Sequence, residues 1–296
     1  METNKLSIII PVFNEEEVVN EILNEIYDSF KDVESYEIIL VDDGSKNDIS
    51  EFIDESLNKD NLIILRNDFN IGQTSSIKRG CENSEGNVIG IIDGDGQNPP
   101  FELKKLYDIY IENDFDAVVS FREIRKDNRY KKILSKTGNF ILKFFTKSKF
   151  KDLGSSIKII NKQALESIKL DGELHRFIVP MLEKRNYKIS EYPTSHQFRK
   201  YGKSNYGLNR LVPVFVDGIL FYLSDGFTKT KRYAVGKLSL LLIILSALLN
   251  TLVIYQKVVN QIFVHRNPLF VLGMISLMLG IFIFSLGLFF NEKDEI

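Results

Sequence analysis

The sequence predicts an α/β domain, doubly wound around a mostly parallel sheet, followed by interfacial helices and a two-helix membrane hairpin. Three observations carry this reading. Over residues 6–120, short Val/Ile runs alternate with amphipathic helical patterns, as expected for parallel strands covered on both faces. Near the C-terminus, YAVGKLSLLLIILSALLNTLVIY (233–255) and PLFVLGMISLMLGIFIFSLGLFF (268–290) are each long enough to cross a hydrocarbon layer of about 30 Å as a helix. The charge is also divided along the chain. Residues 1–120 carry 9 Lys+Arg against 27 Asp+Glu, and residues 121–296 carry 29 against 13, around a net charge of -2.

The elements follow in order. LSIIIPVF reads as a strand, EEEVVNEILNEIYDSF as a helix, YEIILVDD as a strand, NDISEFIDESL as a helix and NLIILRN as a strand. A helix around TSSIKRGCEN comes next, then the strand NVIGIID, the helix FELKKLYDIYIEN and the strand DAVVSF. RYKKILSKTGNFILKFFTKSKFK, residues 129–151, places Ile133, Leu134, Ile141, Phe144 and Phe145 at helical spacing among lysines. Such a basic amphipathic helix lies readily on an anionic membrane surface, the alternative being a helix packed on the domain. LNRLVPVFVDGILFYLSDGF, residues 208–227, reads as an interfacial helix pair. The expected division is therefore an α/β domain over 1–205, interfacial helices over 206–232 and a transmembrane hairpin over 233–296.

Composition narrows the class. A charged fraction of 26% and a hydrophobic fraction of 44% belong to a folded chain. Cys81 is the single cysteine, so no intrachain disulfide forms, and METNKLSIII does not read as a secretory signal. Lys229, Lys231 and Arg232 before the first span, with Lys237 near its start, favour a cytoplasmic location for that side, in a bacterial inner or plasma membrane. The basic residues sit beside the spans and form no nucleic-acid reader motif, so a membrane and no nucleic acid is the expected partner.

In doubly wound sheets ligands bind beyond the carboxyl ends of the strands. The polar residues gather there: Asn14 and Glu15 after the first strand, Asp42, Asp43, Gly44 and Ser45 after the second, Asp93 and Asp95 after the fourth, Arg122 after the fifth. VIGIIDGDGQNPP, residues 88–100, is not an EF-hand loop, because Asn98 and Lys104 stand where its sixth-position Gly and twelfth-position Glu would be. The glycine loops that cradle a diphosphate, G-x-G-x-x-G and the P-loop, are also absent. In an extended segment Asp93 and Asp95 would point the same way and could hold one hard cation, Mg2+ or Mn2+, for a nucleotide diphosphate. Gly94 and Gly96 would give the donor room against the backbone, and Pro99-Pro100 would start the next helix.

Together IIIPVFNEEE, ILVDDGS, NIGQTSSIKRG, IIDGDGQNPP, VVSFREIRKD, KDLGSSIKII, GELHRF and HQFRKYGKSNYG resemble the family 2 glycosyltransferases. Within them the chain is most similar to polyprenyl-phosphate glycosyltransferases of the dolichyl-phosphate mannose synthase type, over roughly residues 5 to 230 in order. The resemblance implies a GT-A-like fold and transfer of one sugar, with inversion, from a UDP- or GDP-linked donor to a polyprenyl phosphate. It implies that Pro11, Phe13, Glu15, Asp42 and Asp43 line the nucleoside pocket, and that Asp93, Asp95 and Gln97 hold the metal and diphosphate. By the same resemblance Arg122, Arg199 and Lys203 face phosphates. Asp93, Asp95, Arg122 and Arg199 are then the catalytic set. Asn205 stands where the family has a lysine in R-x-x-G-x-S-K-Y, with Lys203 two residues earlier as the candidate replacement. Family members are often oligomers, so a homo-oligomer is among the expectations.

A phosphate acceptor is ionised at neutral pH and needs positioning more than a base. A second reading makes a saccharide hydroxyl the acceptor, as in cell-surface polysaccharide synthesis, with Asp171 or Glu173 as base. Against it, processive members carry Q-x-x-R-W, and this chain has no tryptophan. A third reading is a non-catalytic scaffold, which the intact D-x-D-x-Q set opposes. His175 in ELHRF reads as a packing or hydrogen-bonding residue.

Overall fold

The computed structural model describes residues 5–57, 60–124, 129–168, 174–195, 231–261 and 263–289, with positions 170, 216, 218 and 221. Two compact units result, 1–217 and 218–296.

Unit 1 holds a seven-stranded sheet. Its strands are β1 (Leu6–Val12), β2 (Tyr36–Asp42), β3 (Leu62–Arg66), β4 (Val88–Ile91), β5 (Ala117–Ile124), β6 (Lys158–Asn161) and β7 (Ile189–Ser195). The spatial order is β3-β2-β1-β4-β6-β5-β7. β6 runs antiparallel to β4 and β5, and every other pairing is parallel. The expected doubly wound, mostly parallel sheet is present, with β6 and β7 added to the five strands expected.

Among the described residues of unit 1, the α-helices described from end to end are α1 (Val19–Ser29), α2 (Gln73–Glu82), α3 (Pro100–Glu112), α4 (Arg129–Thr146), α5 (Lys162–Glu166) and α6 (Ile178–Lys184). Alternation along β1 sorts its side chains between two layers. Leu6, Ile8 and Ile10 join α1 and α3 in one core with Leu23, Phe30, Leu103 and Leu106. Ile9 faces α2, where a Cβ on Gly80 would lie 2.6 Å from its Cγ2. β1 feeds outward to β2 and β3, and β4 returns to the other flank of β1. The direction of winding therefore reverses between β1 and β4, and the crevice at such a switch point is where ligands bind in open α/β sheets.

The helix expected over residues 47–57 is instead two 3-10 turns, Ile49–Phe52 and Glu55–Leu57. Ile53 between them is extended (φ -79, ψ 125), and Asn20 on α1 bonds both Phe52 O (2.9 Å) and Asp54 N (3.1 Å). These tertiary bonds replace the helical ones.

Unit 2 is a helical pair, α7 (Lys231–Asn260) and α8 (Pro268–Phe289), with apolar windows of mean hydropathy 2.4 and 2.6. α7 runs five residues past the expected end of the first span. Ser239 Oγ donates to Gly280 O (2.9 Å), Asn267 Nδ2 donates to Gln256 Oε1 (2.6 Å), and Gly273 lies against Asn250. Small and polar residues thus line the seam, while Leu241, Leu248, Val271, Met278 and Phe282 are exposed on the outside. That distribution, with apolar side chains outward, is the one a hydrocarbon solvent favours.

Candidate active site

The switch point is built from three strand ends. After β1, Asn14 adopts a left-handed conformation (φ 54) and bridges to the β2 end: its N–H donates to Ser45 Oγ (2.8 Å), and its Oδ1 accepts from Lys46 N (2.9 Å). Pro11 lies on β1 opposite Val41, Phe13 is exposed beyond it, and Glu15 is half-buried at the turn into α1.

The two acids of the second strand end differ in their work. Asp42 is fully buried and accepts from Ser45 N (2.9 Å) and Arg66 Nη1 (2.7 Å), so it fixes the loop after β2 to β3. Asp43 Oδ1 accepts from Asn67 Nδ2 (2.8 Å) and Ile71 N (3.0 Å), and its Oδ2 from Gly72 N (2.9 Å). Asp43 therefore anchors the start of α2. Both carboxylates hold protein groups as well as standing where the nucleoside pocket is expected.

Beyond β4, the segment carrying Asp93 and Asp95 is a turn and not the extended run anticipated. Gly96 is left-handed (φ 70), and Asp95 Oδ1 accepts from Gln97 N (3.1 Å), closing a local side-chain turn. Asp93, Asp95 and Gln97 are all partly exposed. Gly94 serves packing rather than donor access, because a Cβ there would lie 2.3 Å from Val12 Cγ1 and 3.0 Å from Pro11 O. Gly96 supplies the turn. α3 begins at Pro100 as anticipated, where proline's missing N–H costs no helical bond. Overpacking of this kind destabilises by about 1–3 kcal/mol, so Gly94→Ala is expected to lower both the apparent melting temperature and donor affinity. Thermal scans and donor titrations of the purified variant would check this.

The residues present fit a hard divalent cation. Among the described residues no group of three or more His, Cys, Asp or Glu forms a closed metal cage. Two partly exposed carboxylates leave coordination positions for phosphate oxygens and water, the way Mg2+ is usually held in nucleotide sites.

Arg122 lies within β5, not after it, with its side chain one-tenth exposed. Its Nε and Nη2 donate to Asp152 Oδ2 (2.7 Å) and Oδ1 (2.9 Å) in a bidentate pair. Asn139 on α4 binds Lys151 O (2.7 Å) and Leu153 N (3.0 Å), holding the loop that presents Asp152. Next to this pair stands Lys158, buried in β6 and donating to Ser155 O. Burial pushes its pKa down to about 8, while the Asp93 and Asp152 carboxylates act upward and Arg122 acts downward. Sequence reasoning assigned no role to Asp152, Lys158 or Gln73. The signals were a lysine inside the apolar run SIKII and a glutamine opening a helix.

Gln73 Nε2 donates to Asp93 Oδ1 (2.6 Å). Beside it, buried Thr74 Oγ1 accepts from His175 N (3.1 Å) and lies 3.0 Å from His175 Nδ1. His175 is thus the hydrogen-bonding residue expected, and it ties the turn Leu174–Phe177 to α2. Burial pushes the Cys81 thiol up to about 11, consistent with a packing role. Arg199, Lys203, Asn205, Asp171 and Glu173 lie outside the described residues, as does most of 206–232.

The description Glycosyl transferase family 2 matches residues 7–169, which contain every site residue placed above except His175. The chain belongs to glycosyl transferase family 2. This glycosyltransferase is 27% identical over 292 residues to the dodecaprenyl-phosphate galacturonate synthase of Rhizobium johnstonii, across 96% of this chain and 86% of that protein. It is 31% identical over 217 residues to the undecaprenyl-phosphate 4-deoxy-4-formamido-L-arabinose transferase of Proteus mirabilis, across 72% of this chain and 66% of that one. Among solved structures it resembles glucosyl-3-phosphoglycerate synthase from Mycobacterium tuberculosis, determined with Mn2+, uridine diphosphate and glucosyl-3-phosphoglycerate. That likeness has a TM-score of 0.57 at 14% identity, over 74% of this chain and 80% of that chain, and shows the shared fold. The glycosyltransferase thus has the GT-A-like architecture that its motifs implied.

Proposed function

We propose that this glycosyltransferase moves a single sugar, with inversion, from a nucleotide donor to a polyprenyl phosphate at a membrane surface, using a divalent cation. The observation that carries the reading is the Asp93–Gln97 turn at the sheet's switch point, on a chain that continues into an apolar helical pair. Two relatives named for dodecaprenyl- and undecaprenyl-phosphate substrates support the acceptor class.

In this reaction an acceptor phosphate oxygen attacks the anomeric carbon as the bond to the nucleoside diphosphate breaks, and the leaving group takes the electron pair. The cation, Mg2+ or Mn2+, would supply charge stabilisation to that diphosphate. Asp93, Asp95 and Gln97 would hold it, with Pro11, Phe13, Glu15, Asp42 and Asp43 around the nucleoside. Arg122, Arg199 and Lys203 would face phosphates, Lys203 in place of the lysine absent at position 205. The acceptor arrives ionised, so the site's task is orientation and electrostatic stabilisation and no general base is required.

The membrane arrangement follows the same reading. Residues 1–205 form the catalytic domain, 206–232 the interfacial segment and 233–296 the hairpin, with the catalytic domain on the cytosolic side. On α4, Leu142 is buried while Phe140 and Phe144 are 70% and 69% exposed among lysines, which suits contact with lipid headgroups.

The test is product formation. Detergent-purified protein is incubated with Mg2+ or Mn2+, undecaprenyl phosphate and a panel of UDP- and GDP-sugars. A glycolipid from one donor, absent without metal, is expected. Failure to make glycolipid from any donor, or wild type performing no better than Asp95→Ala, overturns the proposal.

A further inference from the structure

We propose that Gln73 is a positioning residue for Asp93, turning that carboxylate toward the donor's cation and coupling it to the nucleoside end of the site. This rests on the metal-dependent reading above and adds a residue to which no role has been given.

The geometry is specific. Gln73 is the first residue of α2, and the chain around it is pinned on both sides. Asp43 holds the backbone N–H groups of Ile71 and Gly72, at 3.0 and 2.9 Å. Thr74, fully buried, is fastened to His175. From this fixed origin the Gln73 side chain reaches Asp93 Oδ1 at 2.6 Å. An ionised carboxylate only accepts, so the amide must present its nitrogen. Oδ1 accepts the Gln73 amide, and Oδ2 is the oxygen assigned to the cation. The three consecutive residues Ile71, Gly72 and Gln73 therefore join Asp43, at the nucleoside end, to Asp93, at the diphosphate end.

The experiment uses full-length protein in detergent. Mn2+ is titrated in the presence of UDP, and in parallel GDP, and free Mn2+ is read by electron paramagnetic resonance. Gln73→Met keeps the length and removes the donor, and it is expected to weaken Mn2+ binding roughly tenfold, the usual scale for one hydrogen bond to a charged group. The Mn2+ concentration for half-maximal turnover should rise in step, with kcat at saturating metal near wild type. A purely structural role would lower the melting temperature and leave Mn2+ affinity unchanged, and that result overturns the proposal. Should Gln73→Met fail to fold, Gln73→Asn, whose amide is one methylene too short, carries the same expectation, and unchanged Mn2+ affinity in it overturns the proposal equally. Asp95→Asn separates the two readings. If Mn2+ binding survives Asp95→Asn, the metal site itself is wrong, and the Gln73 role falls with it. If binding is lost there but unchanged in Gln73→Met, only the Gln73 role falls.

Discussion

Asp95→Asn is expected to slow sugar transfer by on the order of 10³-fold while leaving the fold intact, because a metal clamp on a developing charge supplies several kcal/mol. The substitution is chosen for what it keeps. Asp95 Oδ1 accepts from Gln97 N at 3.1 Å, and the asparagine amide oxygen can accept the same bond, so the turn left-handed at Gly96 is retained. The charge is lost while this bond is kept. A polar exchange at a partly exposed position shifts stability by about 0.5 kcal/mol, equivalent to a change of about 2 °C in melting temperature for a unit of this size. The measurement is a rate at saturating donor beside a thermal scan. A variant that melts like wild type and still transfers sugar at the wild-type rate would remove Asp95 from the metal site.

Much of this site was legible in the chain because the switch-point rule converts strand order into a location. Five Val/Ile runs and the acids behind them, Asp42, Asp43, Asp93 and Asp95, point to the carboxyl ends of the strands. What the pattern could not give was pairing between distant segments. β6 is four residues, KIIN, opening on the lysine that becomes buried Lys158, and so short a mixed run carries no clear period. β7, ISEYPTS, is half-buried to exposed apart from Thr194 and contains Pro193, which a strand at the sheet's edge tolerates. The partner of Arg122 is 30 residues away in a loop, and Gln73 meets Asp93 across 20. The extended geometry expected for Asp93 and Asp95 gave way for a local reason: Gly94 must pass against Val12, and Gly96 turns the chain.

The buried cluster behind that turn gives the second large effect. Asp152→Asn is expected to destabilise unit 1 by about 3–5 kcal/mol, the usual consequence of removing one partner of a buried ion pair. Arg122 and Asp152 are each one-tenth exposed, and Arg122 would keep a full charge with its bidentate acceptor gone. At about 2–4 °C per kcal/mol, the apparent melting temperature should fall by roughly 10 °C. The loss also depends on pH, through Lys158. Its pKa in the fold, about 8, lies below the ordinary 10.5, so the penalty for burying its charge is fully present below about 8 and fades as pH rises toward 10.5. Asp152 is one of the carboxylates that support that charge. Without it the pKa falls further, and the gap between wild type and Asp152→Asn should be wider near pH 7 than near pH 9. Adding Arg122→Met replaces the guanidinium that has lost this carboxylate with an apolar side chain. The double variant should therefore recover most of the lost stability while transfer stays low, since the guanidinium expected to face phosphate is gone. A melting temperature within about 2 °C of wild type in Asp152→Asn would mean that the pair is solvated in solution, and the role assigned to it here would fall.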